Sequence, residues 1–353
     1  MEIYILNTLW YHCFMEKINL MNDYNMTAHP LVLDAIRQAD GKQFPGYSMD
    51  EECSAATETI LQMIGKPDAE VFFFVGGTQT NLTSIGSFLR PHEAVIAPGS
   101  AHIFVHETGA IEAAGHKVLT TDFVDGKATP ESVESVVKFH TDEHMVKPKL
   151  LYISQTTELG TVYSLSELTE LRKLCDKYGL YLYIDGARLG CALASSVCDF
   201  TLCDIASLAD AFYIGGTKNG LLFGEALVIC NPSLAPDFRY MMKQRGSLLS
   251  KGFLLGLQFQ AILENNLYFE LARKSNDMAA SLTRKLQDAS IPLLLDTVTN
   301  QVFPCVSEET LERLEEHVLF ERWPAYSEQG IPIRFVTTWQ TTEAEIDAVL
   351  ELL

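Results

Sequence analysis

Short, nearly continuous apolar runs alternate with stretches of helical period through the first two thirds of the chain. Val71-Phe-Phe-Phe-Val75 is the first such run and reads as a fully buried strand. Gly76-Gly77 then turns the chain into a helix over about 79–89, stopped by Pro91. Further strands are predicted at 93–97, 117–120, 149–153, 180–184, 211–214 and 224–229. Helices are predicted at 103–113, at 131–139 and from a capping box, Ser164 with Glu167, to about Tyr178, ending at Gly179. Ahead of this pattern, Pro30 opens a short helix within 26–39, Gly46-Tyr47-Ser48 is a loop, and helical spacing resumes over 51–64. Strands separated by helical stretches predict an α/β fold: a doubly wound, mostly parallel sheet with helices on both faces.

The character changes after Pro232. Residues 250–287 read as one long helix whose apolar stripe is Leu254, Leu255, Leu257, Ile262, Leu263 and Leu267. Beyond it the pattern predicts strands at 292–296 and 301–305, a helix at 308–318, a strand at 332–337 and a helix at 342–352, capped by Thr342 with Glu345. The expected organisation is an N-terminal segment 1–25, a large domain 26–250, and 251–353 as a linking helix with a small α+β domain. The opening MEIYILNTLWYHCFM is aromatic and apolar, too short for a membrane span and without the basic start of a secretory signal. It ends on a second methionine, Met15, an alternative start of translation. No other segment reaches eighteen apolar residues, so no membrane and a cytoplasmic location are expected.

Composition narrows the partners. The chain has 353 residues, 47% of them hydrophobic, and a net charge of −20, which argues against a broad nucleic-acid-binding face. Its eight cysteines include no C-x-x-C pair. Cys198 and Cys203 fall on a segment expected to be helical, and Cys175, Cys191, Cys230 and Cys305 stand in apolar surroundings, as buried free thiols of a reducing compartment do.

Candidate chemistry gathers at strand ends. Tyr213-Ile-Gly-Gly-Thr-Lys218-Asn-Gly220 sets a lysine in a tight loop after an apolar run. A neutral lysine there can form a Schiff base with an aldehyde, though a loop lysine can equally be ordinary and exposed. Tyr181-Leu-Tyr-Ile-Asp185-Gly-Ala-Arg188 ends a strand on a carboxylate, where open α/β sheets place ligands. Asp185 can hold a pyridine nitrogen protonated, or pair structurally with Arg188. Gly76-Gly77-Thr78 at a strand-to-helix turn can bind a phosphate or simply make a tight turn. Arg188 and Arg334 can each take a carboxylate bidentately or lie at the surface. His102 and His106, four apart, lack the third ligand that catalytic zinc wants, so no metal is expected; flat stacking over an aromatic ring is the better use of one of them. There is no G-x-S-x-G elbow. Lysine, aspartate and phosphate turn together point to pyridoxal 5'-phosphate.

In this order the motifs resemble the threonine aldolases, beta-eliminating lyases of the aspartate-aminotransferase-like fold-type I group, from about Asn22 to the end of the chain. By that resemblance Gly77 and Thr78 would hold the phosphate, His102 would stack on the ring, Asp185 would bind its nitrogen and Lys218 would carry the cofactor covalently. Arg188 and Arg334 would take the substrate carboxylate, with Asn22 near it, and Tyr47 would be supplied across a homodimer or homotetramer interface. The implied reaction cleaves the Cα–Cβ bond of threonine, allo-threonine or a bulkier β-hydroxy-α-amino acid, giving glycine and an aldehyde. One departure stands out. Where the family pattern places a histidine, the run reads Ser154-Gln155-Thr156-Thr157-Glu158, with Thr157 at that position and Glu158 one step away. β-Elimination, transamination or racemisation on the same scaffold, and a non-catalytic homologue, are the alternatives.

Overall fold

The computed structural model describes residues 17–353, so the opening aromatic segment and Met15 lie outside the described residues. Two compact units are present: Thr27–Ala272, and residues 17–26 with Arg273–Leu353. The division falls within the helix Leu267–Asp288.

The larger unit is built on seven strands: β1 Glu70–Phe74, β2 Glu93–Pro98, β3 Val118–Thr121, β4 Lys147–Ser154, β5 Tyr181–Asp185, β6 Ala211–Gly215 and β7 Glu225–Ile229. Their order is β1-β7-β6-β5-β4-β2-β3. Pairs from β6 through β3 are parallel, while β7 runs antiparallel to both β6 and β1. Every residue of β2, β6 and β7 is buried, which follows when both faces of a sheet are covered. Alternation sorts the side chains. Phe72, Phe74, Val95, Tyr152, Tyr183, Tyr213 and Leu227 pack into one core with Phe88 and Phe238 from the covering helices. Asp185 follows Tyr183 by two and Ser154 follows Tyr152 by two, so both polar side chains stand on that same face at the carboxyl ends of their strands. Between β5 and β6 the backbones touch: a Cβ on Gly186 would fall 1.7 Å from the Tyr213 carbonyl oxygen, so only glycine fits.

The expected strands and most helices form, with the Ser164–Glu167, Thr342–Glu345 and Pro30 signals at their helix starts. Five expectations are corrected. The helix expected at 103–113 is two short ones, His102–Val105 and Ala110–Ala113, because Thr108 and Gly109 take left-handed backbone (φ 51° and 69°). The long helix is broken at Glu264–Asn266, where Asn265 and Asn266 have φ 54° and 62°; asparagine tolerates that conformation better than other side chains. No strand forms at 292–296, where Leu293 makes a single bridge to Pro304, and Pro304 splits 301–305 into Gln301–Val302 and Cys305–Val306 because it has no N–H to donate. Cys198 lies on no helix but just past a turn, its N–H on the Ser195 carbonyl at 3.2 Å; Cys203 is the second residue of the helix Leu202–Leu208. Cys175, Cys191, Cys230 and Cys305 are buried free thiols, as expected.

In the smaller unit Ile331–Val336 is the central strand, antiparallel to Cys305–Val306, Glu321–Arg322 and Gln301–Val302. Ile18–Asn19 pairs parallel with Val318–Leu319, and Leu20 packs among Leu282, Leu286, Val302, Leu314 and Phe335. No helix among the described residues is long and apolar enough to cross a membrane.

Candidate active site

Asp185 ends β5, and its side chain is buried among donors. Oδ1 accepts from the Tyr213 hydroxyl at 2.5 Å and from the Ala187 N–H at 3.0 Å. Oδ2 accepts from the Tyr152 hydroxyl at 2.5 Å and from Asn81 Nδ2 at 3.0 Å. Burial pushes this carboxyl up, but the nearby His102 and the Tyr152, Tyr213 and Ala187 donors outweigh it, so the group is held below its ordinary value. Burial and the Asp185 charge push Tyr152 and Tyr213 far above theirs, so both remain O–H donors. Asp185 is therefore a buried anion.

A polar chain runs from Asp185 to His102. The Asn81 amide donates to Asp185 and, at 2.9 Å, to Glu107 Oε1, while Asn81 Oδ1 accepts from Tyr183 at 3.2 Å. Glu107 Oε1 also lies 2.8 Å from His102 Nδ1. On the other side, the His102 N–H and the Ser154 hydroxyl both donate to Glu158 Oε1, at 2.8 and 2.7 Å. Burial raises the Glu158 carboxyl, only partly opposed by Ser154 and the N–H donors. Thr157 is buried and turned elsewhere: its hydroxyl is 2.7 Å from that of Thr161, which bonds the Asp125 carbonyl at 2.7 Å. The carboxylate Glu158, not Thr157, meets His102.

Lys218 follows β6 in a loop stitched onto the start of β7. Gly216 and Thr217 N–H groups both reach the Gly224 carbonyl at 3.0 Å, and Gly224 N–H returns to the Thr217 hydroxyl at 2.9 Å. Asn219 Nδ2 anchors the far side on the Tyr268 carbonyl at 2.8 Å. Beneath the loop, buried Glu225 accepts from Gly216 N–H at 3.1 Å. Burial pushes Glu225 up to about 8, against the pull of Thr217, Lys218 and Gly216 and with some help from the Asp185 charge. The folded chain thus holds this proton at pH values where the unfolded chain, titrating near 4.5, has lost it. Its contribution to stability is whole below about pH 4.5 and is lost as pH rises toward 8. Glu225→Gln carries no such loss. In thermal unfolding of the cofactor-free full-length chain, the midpoint of the variant relative to wild type should rise across that window; a constant difference would contradict the buried proton.

Gly77 and Thr78 open the helix Gly77–Phe88, whose first N–H groups have no intrahelical acceptor. A Cβ on Gly77 would sit 2.9 Å from the Tyr213 hydroxyl, which places this turn beside the Asp185 cluster. Arg188, half-buried, caps Leu189–Leu193 three residues past Asp185. Tyr47 is 42% exposed with φ 62°; its carbonyl accepts from Arg239 at 3.0 Å and Lys243 Nζ stands 4.4 Å from its ring. Asn22 and Arg334 belong to the smaller unit. Asn22 Oδ1 accepts from Tyr24 N–H at 3.0 Å. Arg334 pairs with Glu321, bonds Gln301 Oε1 at 3.1 Å and stacks 5.2 Å from Trp323. Asn81, Glu107, Tyr152, Tyr213 and Glu225 were not singled out from the sequence. The available signal was polar residues within buried strands, and an acid five places after His102 beyond an apolar Ile103-Phe104-Val105.

The chain belongs to the beta-eliminating lyases, whose family model matches residues 36–309, and it is a pyridoxal-phosphate-dependent lyase. It is 34% identical to the low specificity L-threonine aldolase of Pseudomonas sp. (strain NCIMB 10558), over 84% of this chain and 86% of that protein. It is 32% identical to the enzyme of the same name from Pseudomonas aeruginosa, over 86% and 87%. The solved Leishmania major threonine aldolase superposes with a TM-score of 0.93 at 44% identity, covering 95% of this chain and 98% of that one. Thermus thermophilus aspartate aminotransferase shares the fold, with a TM-score of 0.70 at 16% identity over 96% and 91%.

The residues fit the cofactor. A buried carboxylate kept ionised complements a protonated ring nitrogen. Ser100 Oγ, Glu107 Oε2 and Asn219 Oδ1, in the segments carrying His102 and Lys218, are buried polar atoms with no protein partner among the described residues, as befits a site completed by a polar ligand.

Proposed function

We propose that the protein cleaves the Cα–Cβ bond of a β-hydroxy-α-amino acid such as threonine, allo-threonine or a bulkier analogue, releasing glycine and an aldehyde. The observation that carries this reading is the ionised, buried Asp185 at a strand end, one hydroxyl away from the Gly77 turn and one strand from the Lys218 loop. The names of the relatives support it. Pyridoxal phosphate, when bound, supplies the electron sink for the pair released by bond cleavage.

The chain's own residues do the rest. Gly77 and Thr78 hold the phosphate at the helix start. Asp185 would keep the ring nitrogen protonated, His102 would stack on the ring, and Lys218 would hold the cofactor covalently. Arg188 in the larger unit, and Arg334 and Asn22 in the smaller one, are each candidates to bind the substrate carboxylate. Exposed Tyr47, its backbone held by Arg239 and Ser250, serves a neighbouring subunit's site, so the protein works as a homodimer or homotetramer. Its location is cytoplasmic, in keeping with free thiols throughout the described residues.

A panel of L-threonine, L-allo-threonine and a β-aryl-β-hydroxy amino acid tests the reaction, with glycine and aldehyde measured together. Equal amounts of both are expected from at least one substrate. A keto acid without glycine would replace this reading with elimination or transamination.

A further inference from the structure

We propose that Glu107 is a positioning residue for the reaction: it holds a proton on Nδ1 of His102 and leaves Nε2 as the atom that takes the proton of the substrate β-hydroxyl. The inference deepens the aldolase reading and rests on it.

Its geometry is over-determined. Asn81 presents its NH2 to two carboxylates, Asp185 and Glu107, and its carbonyl oxygen to the Tyr183 hydroxyl. A flipped amide would face oxygen against two carboxylates, so the orientation is fixed. Glu107 Oε1 is thereby held as an acceptor 2.8 Å from His102 Nδ1, and a proton on that axis puts the open lone pair of the ring on Nε2. The Glu107 side chain is fully buried while that of His102 is 36% exposed, so one edge of the imidazole is anchored and the other faces outward. Glu158 clamps the same residue through its main-chain N–H, which fixes the backbone the ring hangs from. The charged and titratable groups facing His102 are Glu107, Glu158, His106 and Asp185.

The departure at Thr157 makes this arrangement matter. Thr157 bonds Thr161 and supplies no imidazole, and of the neighbouring pair His102 and His106 it is the ring of His102 that meets the buried Glu107 carboxylate. In the proton step the β-oxygen–hydrogen bond breaks and its proton forms a bond to Nε2. The O–H electrons become the second bond of the aldehyde carbonyl, and the Cα–Cβ pair is left to Cα, where the bound cofactor would stabilise it until a later proton there yields glycine. A base with the other tautomer would present N–H, not a lone pair, to the hydroxyl.

Two variants of the full-length holoenzyme test it, with the His102 ring resonances in 15N-histidine NMR assigned by their loss in His102→Phe. Wild type should show protonated Nδ1 and unprotonated Nε2. Glu107→Leu should invert or mix the tautomers and lower kcat by about 10²-fold or more with little change in KM. Glu107→Gln keeps an acceptor beside Asn81 and should keep the tautomer. Losing the charge should move the acid limb of kcat/KM about one unit lower in pH, a shift that a merely structural role would not produce. Wild type with the proton on Nε2, Glu107→Leu with kcat within about threefold of wild type, or an unmoved acid limb in Glu107→Gln would each overturn the inference. If Glu107→Leu does not fold, Glu107→Gln decides. Failure of the aldolase reading is seen separately, as absence of glycine from wild type, and leaves the tautomer result standing.

Discussion

Lys218→Ala is expected to remove the visible absorption of the holoenzyme and to lower glycine release on the order of 10³-fold or more. The amine is the only group in that loop able to form an imine with an aldehyde: its neighbours Gly216, Thr217, Asn219 and Gly220 offer no amine. The loop itself should survive. Its shape comes from backbone bonds between Gly216, Thr217 and Gly224, from Asn219 to Tyr268, and from Gly220 to His29, none of which uses the lysine side chain. The measurements are an absorption spectrum before and after borohydride reduction, a glycine assay and a thermal melt. An unchanged reducible band in Lys218→Ala would sink the assignment, and a collapsed melting transition would mean that the lysine is structural instead.

Asp185→Asn should lose nearly as much activity and also stability. Asp185 now accepts four hydrogen bonds, from Tyr213, Ala187, Tyr152 and Asn81. An asparagine turns an NH2 toward two of those donors, and each buried donor left without an acceptor costs about 1–3 kcal/mol. The substitution also removes the charge that complements a protonated ring nitrogen, so the sink weakens and kcat falls on the order of 10²-fold or more. Cofactor-free wild type carries its own signature. Its Asp185 carboxyl is held below the ordinary 3.8, so the stability it contributes is present above that pH and is lost as pH falls through the lowered folded value. Unfolding midpoints of wild type and variant should converge on acidification; parallel curves would mean that the carboxylate is not ionised in the fold.

Much of this site could be read from the chain because its chemistry sits where local pattern is strongest. Asp185 ends an apolar strand and is followed by Gly-Ala, and the Lys218 loop and the Gly77 turn each interrupt a buried run. Capping boxes at Ser164 and Thr342 marked helix starts to the residue, because a cap is a contact between residues three apart. Failures came where distant neighbours or unusual backbone decide. Asn265-Asn266 looks like helix interior by apolar spacing, and only their left-handed conformation divides Phe253–Leu263 from Leu267–Asp288. Glu107 lies 26 residues from Asn81, and Asn81 lies 104 from Asp185, separations at which no periodicity speaks.

By itself the sequence determined the α/β class, the succession of the seven strands of the large sheet, and the strand-end positions of the lysine and aspartate. Those follow from which residues must leave water and from steric rules acting over a few neighbours. Only the tertiary structure decided what stands around them. Parallel pairing of β4, β5 and β6 brings Tyr152, Asp185 and Tyr213 together on one sheet face, and packing of the Gly77–Phe88 helix sets Asn81 between two buried carboxylates. It also turned Thr157 away and set Glu158 against His102, since a buried polar group must find a partner wherever the fold supplies one.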